Sequence, residues 1–312
     1  MSAADAARRW GAVEEPRLIK DRENAVYEIA LKDGARAALR LHRAGYQSDA
    51  AIRSELWWMT RLADAGLPVP MPIQALDGEF LAKSGGRTAS VVSWVEGDQF
   101  GDGETPLPAD AEWVGARYSA LGRLIAEMHD VTDALELPEG FDRPRWGREA
   151  YTGPDPLWGR FWENPALTVE EADLMHEARE RMDASLATFE RDGADVGLIH
   201  ADLLRENVLV DGEDLSIIDF DDCGFGFRTY DLATALVQGI GDPMYSAARG
   251  ALCSGYRQAR HVASPLADDV ELFVTLRCFA SAGWIMTRAD PRDPKMRFYA
   301  ERAVNAARLL VG

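Results

Sequence analysis

Between Leu198 and Asp222 the chain reads LIHADLLRENVLVDGEDLSIIDFDD, and this stretch narrows the possible folds more than any other. The apolar runs Val208-Leu209-Val210 and Leu215 to Ile218 flank Asp211-Gly212-Glu213-Asp214, a turn-type tetrapeptide, so the segment is expected to form a β-hairpin. Antiparallel pairing that sets Val210 opposite Leu215 puts Asn207 nearly opposite Ile218, so Asn207 and Asp219 should emerge together at the open end. Asp202 belongs to the loop just before.

Those residue types suit one chemistry. A hard divalent cation such as Mg²⁺ takes oxygen ligands at about 2.1 Å and keeps several waters, so one amide oxygen and one carboxylate make a typical protein share. Asn207 and Asp219 supply that share. Asp202 would then stand beside the metal-bound phosphates, able to accept a proton from an attacking hydroxyl and to orient its oxygen. His200, two residues earlier, is better suited to bracing the loop than to reacting.

The run His200-Ala201-Asp202-Leu203-Leu204-Arg205-Glu206-Asn207, followed by Ile218-Asp219-Phe220-Asp221, resembles the catalytic and metal loops of the aminoglycoside phosphotransferase and choline kinase family, which shares its fold with protein kinases. The resemblance implies an α+β, bilobal protein-kinase-like fold. It would have an N-lobe antiparallel sheet with one main helix (1–96, nucleotide-binding) and a mainly helical C-lobe carrying the catalytic β-hairpin, the metal site and the acceptor pocket (97–312). It also implies Asp202 as catalytic base, Asn207 and Asp219 as Mg²⁺ ligands, ATP as phosphate donor, and Asp231 as a brace for the catalytic loop. Ala201, Leu204, Arg205 and Glu206 depart from the HGDLHPGN that small-molecule kinases commonly carry. Leu204 and Asp221 stand where protein kinases carry lysine and glycine, which argues against a typical protein kinase.

At 312 residues the chain can bury a large core. A net charge of −18 disfavours nucleic acid and anionic membranes as partners and favours a cationic substrate, although a generic acidic surface is the plainer reading. Cys223, Cys253 and Cys278 are far apart and without a C-x-x-C, so neither a disulfide framework nor a zinc site is suggested, and a reducing cytoplasm fits. The first residues lack a signal-peptide core, and no run approaches the ~18 apolar residues of a membrane span.

Residues 1 to 15 are expected to be a short helix or a mobile leader. Ala25–Leu31 and Ala35–Leu41 then form two strands around a tight turn, preceded at Asp21-Arg22-Glu23-Asn24 by the place where kinases put a phosphate-covering loop; here it lacks glycine. Ser48 to Ala65 has the stripe Ile52, Leu56, Met59, Leu62 of a helix. Glu55 borders that stripe and calls for a cationic partner, for which Arg40 on the preceding strand is the candidate. In the family this pair takes the positions of the phosphate-contacting lysine and its helix glutamate; an ordinary strand-to-helix ion pair is the alternative. The strand ending at Val92-Ser93-Trp94-Val95 would be the interlobe hinge, and the resemblance places adenine contacts on the Ser93 and Val95 backbone.

Further on, Trp113 to His129 and Thr168 to Asp192 read as helices, the second with Leu174, Ala178, Met182 and Leu186 on one face. Between them, Phe141 to Leu167 holds Trp146, Tyr151, Trp158, Phe161 and Trp162, which can cage a cationic ligand or, more plainly, anchor an irregular segment by packing. Asp231 is expected to open a helix over Leu232 to Ile240, with three more helices after it. By resemblance Trp284, Arg288, Asp221 and Asp222 are possible acceptor-side residues. Taken together, the sequence points to an ATP-dependent phosphotransferase acting on a hydroxyl of a small, amine-bearing molecule. The alternatives are a stress-response-type Ser/Thr kinase and a nucleotide-binding module without turnover.

Overall fold

The computed structural model describes residues 2–21, 24–262 and 265–312. Arg22 and Glu23, in the expected phosphate-covering loop, lie outside the described residues. In chain order the elements are α1 (Ala3–Arg9), β1 (Arg17–Asp21), β2 (Ala25–Ala30), β3 (Arg36–Leu41), α2 (Asp49–Asp64), β4 (Pro72–Ile73), β5 (Ala82–Ser84), β6 (Arg87–Ser93) and β7 (Asp98–Gln99). There follow α3 (Ala111–Asp133), β8 (Arg145–Trp146), α4 (Arg148–Thr152), α5 (Val169–Arg191), β9 (Val196–Ile199), β10 (Val208–Asp211), β11 (Asp214–Ile217) and β12 (Gly224–Phe227). Helices α6 (Arg228–Val237), α7 (Tyr245–Ala259), α8 (Leu266–Trp284) and α9 (Pro294–Val311) complete the chain.

The chain forms two compact units. The first comprises Met1–Phe100, Ala134–Arg143 and Glu206–Asp221; the second comprises Gly101–Asp133, Pro144–Arg205 and Asp222–Gly312.

In the first unit the main sheet runs β1-β2-β3-β6-β4, with β5 also on β6, and every pairing is antiparallel. The alternation of β-branched and small apolar residues along β2, β3 and β6 turns Ile29, Leu39, Ala89 and Val91 into one core. The N-terminal residues join that core. Ser2 caps α1 in a capping box, Ala6 and Ala7 are buried, and the Trp10 indole donates to the Ile73 carbonyl at 2.7 Å. Helix α2 starts at the Ser48 cap and buries Ile52, Leu56, Met59 and Leu62, the stripe expected from spacing. The hairpin β10–β11 has the expected register, Val210 opposite Leu215, and gains β7 as a third strand.

The second unit is mainly helical. Helices α3 and α7 approach so closely that a Cβ on Gly122 would lie 2.1 Å from the Leu252 carbonyl oxygen, and one on Gly255 2.0 Å from that of Ser119. Helix α5 carries a capping box at Thr168 and buries Met175, Ala178, Met182 and Leu186, so Met175 rather than Leu174 opens its inward face. Helix α6 starts at Arg228, not after Asp231, because Arg228, Thr229 and Tyr230 are polar yet buried and hide the helical pattern. Leu266–Thr287 comes nearer to a membrane span than its residues suggested: it meets the length and composition for one, but 67% of that window is buried inside the fold. A helix surrounded by protein is apolar all round for that reason. The short sheet β8-β12-β9 lies at the start of the Asp202 loop, and β12 leads directly into α6.

Gly255→Ala should therefore cost about 1–3 kcal/mol through overpacking of α3 on α7, measured as a lower urea midpoint with an unchanged denaturant slope.

Candidate active site

Asp202 lies in the second unit, on a loop fixed by a buried carboxylate. Asp231, on the first turn of α6, is fully buried; its Oδ2 accepts from the His200 amide at 2.9 Å and its Oδ1 from the Ala201 amide at 2.7 Å. The Oδ2 also meets His129 Nε2 at 3.1 Å, and the other ring nitrogen of His129 meets the Tyr256 hydroxyl at 2.8 Å. Burial pushes the His129 imidazole below its ordinary range, opposed by its bond to Asp231. Asp231 is thus the brace that the resemblance implied, and His129 is structural. Ala201 has φ +67, a left-handed conformation that costs a residue with a Cβ roughly 1–2 kcal/mol. The same φ is what glycine in the commoner motif would take without strain. His200 is buried, and its Nδ1 receives the Asp202 amide at 3.2 Å, as expected of a loop brace.

Two arginines go beyond what the sequence suggested here. Arg205 is buried, donating to the carbonyls of Asp102 and of Thr105, the latter at 2.9 Å, while its own amide donates to Gln238 Oε1 at 2.8 Å. It ties the catalytic loop to the segment after β7. Arg277, on α8, donates through Nη2 to Asp202 Oδ1 at 2.7 Å. Nothing in the spacing of α8 marks Arg277 for this, since it stands in an apolar helix far along the chain.

Arg40, Glu55, Asn207 and Asp219 belong to the first unit. Asn207 and Asp219 come together as the hairpin predicts: the Ile218 amide donates to the Asn207 carbonyl at 2.9 Å. Asp219 has φ +66, and its side chain is 37% exposed. Arg40 bridges two carboxylates, Nη1 to Glu55 Oε1 at 3.1 Å and Nη2 to Asp219 Oδ1 at 2.7 Å. The strand-to-helix pair is therefore present, with a third member.

Asp221 joins the same cluster. Its Oδ2 accepts from Asn24 at 3.0 Å, Arg40 lies 3.7 Å from its Oδ1, and Arg143 donates to its carbonyl. Three carboxylates face two guanidiniums, and Glu55 is only 2% exposed. Burial pushes the Glu55 carboxyl up to about 7, opposed by Arg40 and aided by Asp221; burial likewise raises Asp221. Asp221 is thus a buried member of the Arg40 cluster.

Ser93, at the end of β6, donates its amide to the Met71 carbonyl at 2.8 Å, and its hydroxyl accepts from the Met71 amide at 2.9 Å. Val95 follows the strand in irregular chain. The aromatic segment packs. Trp146, Tyr151, Trp158, Phe161 and Trp162 are all buried, Arg179 sits over the Trp162 ring and Arg277 over Trp158. The cations at these two tryptophans are the protein's own. Arg288 lies over Trp284 and donates to its carbonyl, an ordinary pair at a helix end. Asp222 gives its carbonyl to the Trp146 indole at 2.8 Å. Among the described residues no disulfide forms, and the three cysteines are buried.

A model of the phosphotransferase enzyme family matches residues 16–266. The chain belongs to this family. It is 30% identical over 262 residues to a homoserine kinase of Sinorhizobium fredii, a match that spans 77% of this chain and 74% of that one. The structure of a microcompartment-associated aminopropanol kinase superposes with a TM-score of 0.83 at 29% identity, covering 98% of this chain and 95% of the other. The amicoumacin kinase hAmiN, solved with AMP-PNP, Ca²⁺ and its ligand Ami, shares the fold with a TM-score of 0.78 at 18% identity, over 97% of this chain and 92% of that one. The α+β, kinase-like fold expected from the motifs is thereby borne out, and the chain is a phosphotransferase whose acceptor is an alcohol group.

Replacing Asp231 by Ala strands two buried amides and His129, so the variant should lose at least about 3 kcal/mol of unfolding free energy, read from denaturant unfolding of the two proteins side by side.

Proposed function

We propose that the chain transfers the γ-phosphate of ATP to the hydroxyl of a small, amine-bearing alcohol. The observation that carries this reading is the hairpin register, which sets Asn207 and Asp219 on adjoining positions, with the Arg40 guanidinium 2.7 Å from the carboxylate. Both side chains offer hard oxygen donors. Among the described residues no group of three or more His, Cys, Asp or Glu could hold a metal ion. A pair of oxygen ligands suits Mg²⁺ that arrives with the nucleotide and takes its remaining ligands from phosphates and water. A cation held there would offset phosphate charge.

The chain's own residues do the rest. Arg40, already anchored by Glu55, would contact the phosphates, and a guanidinium keeps its charge in so buried a place. Burial works against the charge of Arg40, and Asp219, Glu55 and Asp221 more than offset it. The Ser93 amide is engaged with Met71, so a purine would use the Ser93 carbonyl and the Val95 backbone. Asp202 accepts the acceptor's hydroxyl proton. The acceptor oxygen forms its bond to the γ-phosphorus as the bond from that phosphorus to the bridging oxygen breaks, and the electron pair leaves with ADP.

The acceptor class rests on two independent supports. The homoserine and aminopropanol kinases act, by name, on alcohols that carry an amine. The net charge of −18 favours a cationic acceptor over an anionic one.

With L-homoserine, 1-amino-2-propanol, choline and an aminoglycoside as acceptors, Asp202→Ala should lower kcat by about 10²–10⁴-fold while ATP affinity stays within about twofold; wild-type turnover in that variant would end the assignment of Asp202 as base. Asp219→Asn should weaken Mg²⁺-ATP binding roughly tenfold or more, measured by titration calorimetry, and an unaltered affinity would remove Asp219 from the metal site.

A further inference from the structure

Arg277, on α8, is buried in the second unit beside the Trp-rich segment. It is 5% exposed, yet among the described residues its Nε and Nη1 have no acceptor at hydrogen-bonding geometry, although the Tyr230 hydroxyl faces the guanidinium. The buried hydroxyls of Tyr151 and Tyr230 face each other, Tyr230 also faces Arg277, and the two tyrosine rings lie 5.0 Å apart. The Arg277 guanidinium lies over the Trp158 ring, 4.5 Å from its centre. A small cavity lined by Trp146, Tyr151, Trp158, Phe161 and Ala280 adjoins this group.

Burial works against the charge of this guanidinium, and the Tyr230 hydroxyl and the Asp202 carboxylate more than offset it. Toward the loop Arg277 donates Nη2 to Asp202 Oδ1 at 2.7 Å, from a guanidinium that also lies over Trp158 and meets Tyr230. The Asp202 backbone is held separately, through His200 and Asp231. The loop thus fixes where Asp202 begins, and Arg277 fixes where its carboxylate points.

We propose that Arg277, lying over Trp158, is the positioning residue for Asp202, holding its side-chain torsion so that the carboxylate is presented to the acceptor hydroxyl. The Trp-rich segment thereby acquires a role, with Trp158 as the platform that sets the height of the guanidinium. The inference rests on the reading of Asp202 as base, and misplacement of such a group by about 1 Å can cost roughly 100-fold in rate.

The test compares wild type, Arg277→Met, Arg277→Lys and Asp202→Asn, together with the double variant of Arg277→Met and Asp202→Asn. Each is assayed with Mg²⁺-ATP and the acceptor that turns over in the panel above, or with water as acceptor in slow ATP hydrolysis where none does. Arg277→Met should leave ATP affinity within about twofold and lower kcat about 30–100-fold. Arg277→Lys should recover part of that loss, and the double variant should be no slower than Asp202→Asn alone. A kcat within about twofold of wild type in Arg277→Met overturns the proposal, as does a further loss in the double variant. The two readings fail separately: active Asp202→Asn defeats the assignment of the base, whereas inactive Asp202→Asn beside fully active Arg277→Met defeats only the positioning role.

Discussion

The hydrogen bonds from the His200 and Ala201 amides to the buried Asp231 carboxylate are the interaction on which the catalytic loop depends. A left-handed alanine and two buried amides are each unfavourable, and one carboxylate that accepts from both amides answers all three. Asp231 sits in the first turn of α6, and His129 carries the network back to α3 and, through Tyr256, to α7. The position of Asp202 is therefore set by the helical packing of its unit and not by the loop's own preferences.

The first unit handles charge differently. Arg40 is shared between Glu55 and Asp219, with Asp221 and Arg143 close behind, so its carboxylates outnumber its guanidiniums. Such a cluster is a poor source of stability, since desolvation cancels much of the attraction. Arg277 and Asp202 make a smaller version of the same arrangement in the second unit.

How much of this could be read beforehand depended on periodicity. The α2 stripe, the β2–β3 hairpin and the β10–β11 register follow from alternation or 3.6-residue spacing, and each was legible to within a residue or two. The start of α6 was not, because Arg228, Thr229 and Tyr230 look like surface and are buried. The same holds for α1, whose burial rests on Trp10 reaching Ile73, and for the Trp-rich segment, whose rings are placed by contacts with α5 and α8 rather than by any repeat. Leu266–Thr287 shows the converse: its apolarity was legible, but only its burial tells what that apolarity is for.

The sequence by itself determined the chemistry within reach. Asp202, Asn207 and Asp219 are close along the chain, and a short hairpin brings Asn207 and Asp219 together whatever surrounds it, because register follows from the turn and the apolar faces. Tertiary structure alone decided which cations attend these carboxylates. Arg40 had to be matched to Asp219 across 179 positions and Arg277 to Asp202 across 75. Pairings of that length leave no periodic trace, since they depend on how whole helices and strands pack and not on the spacing of neighbours.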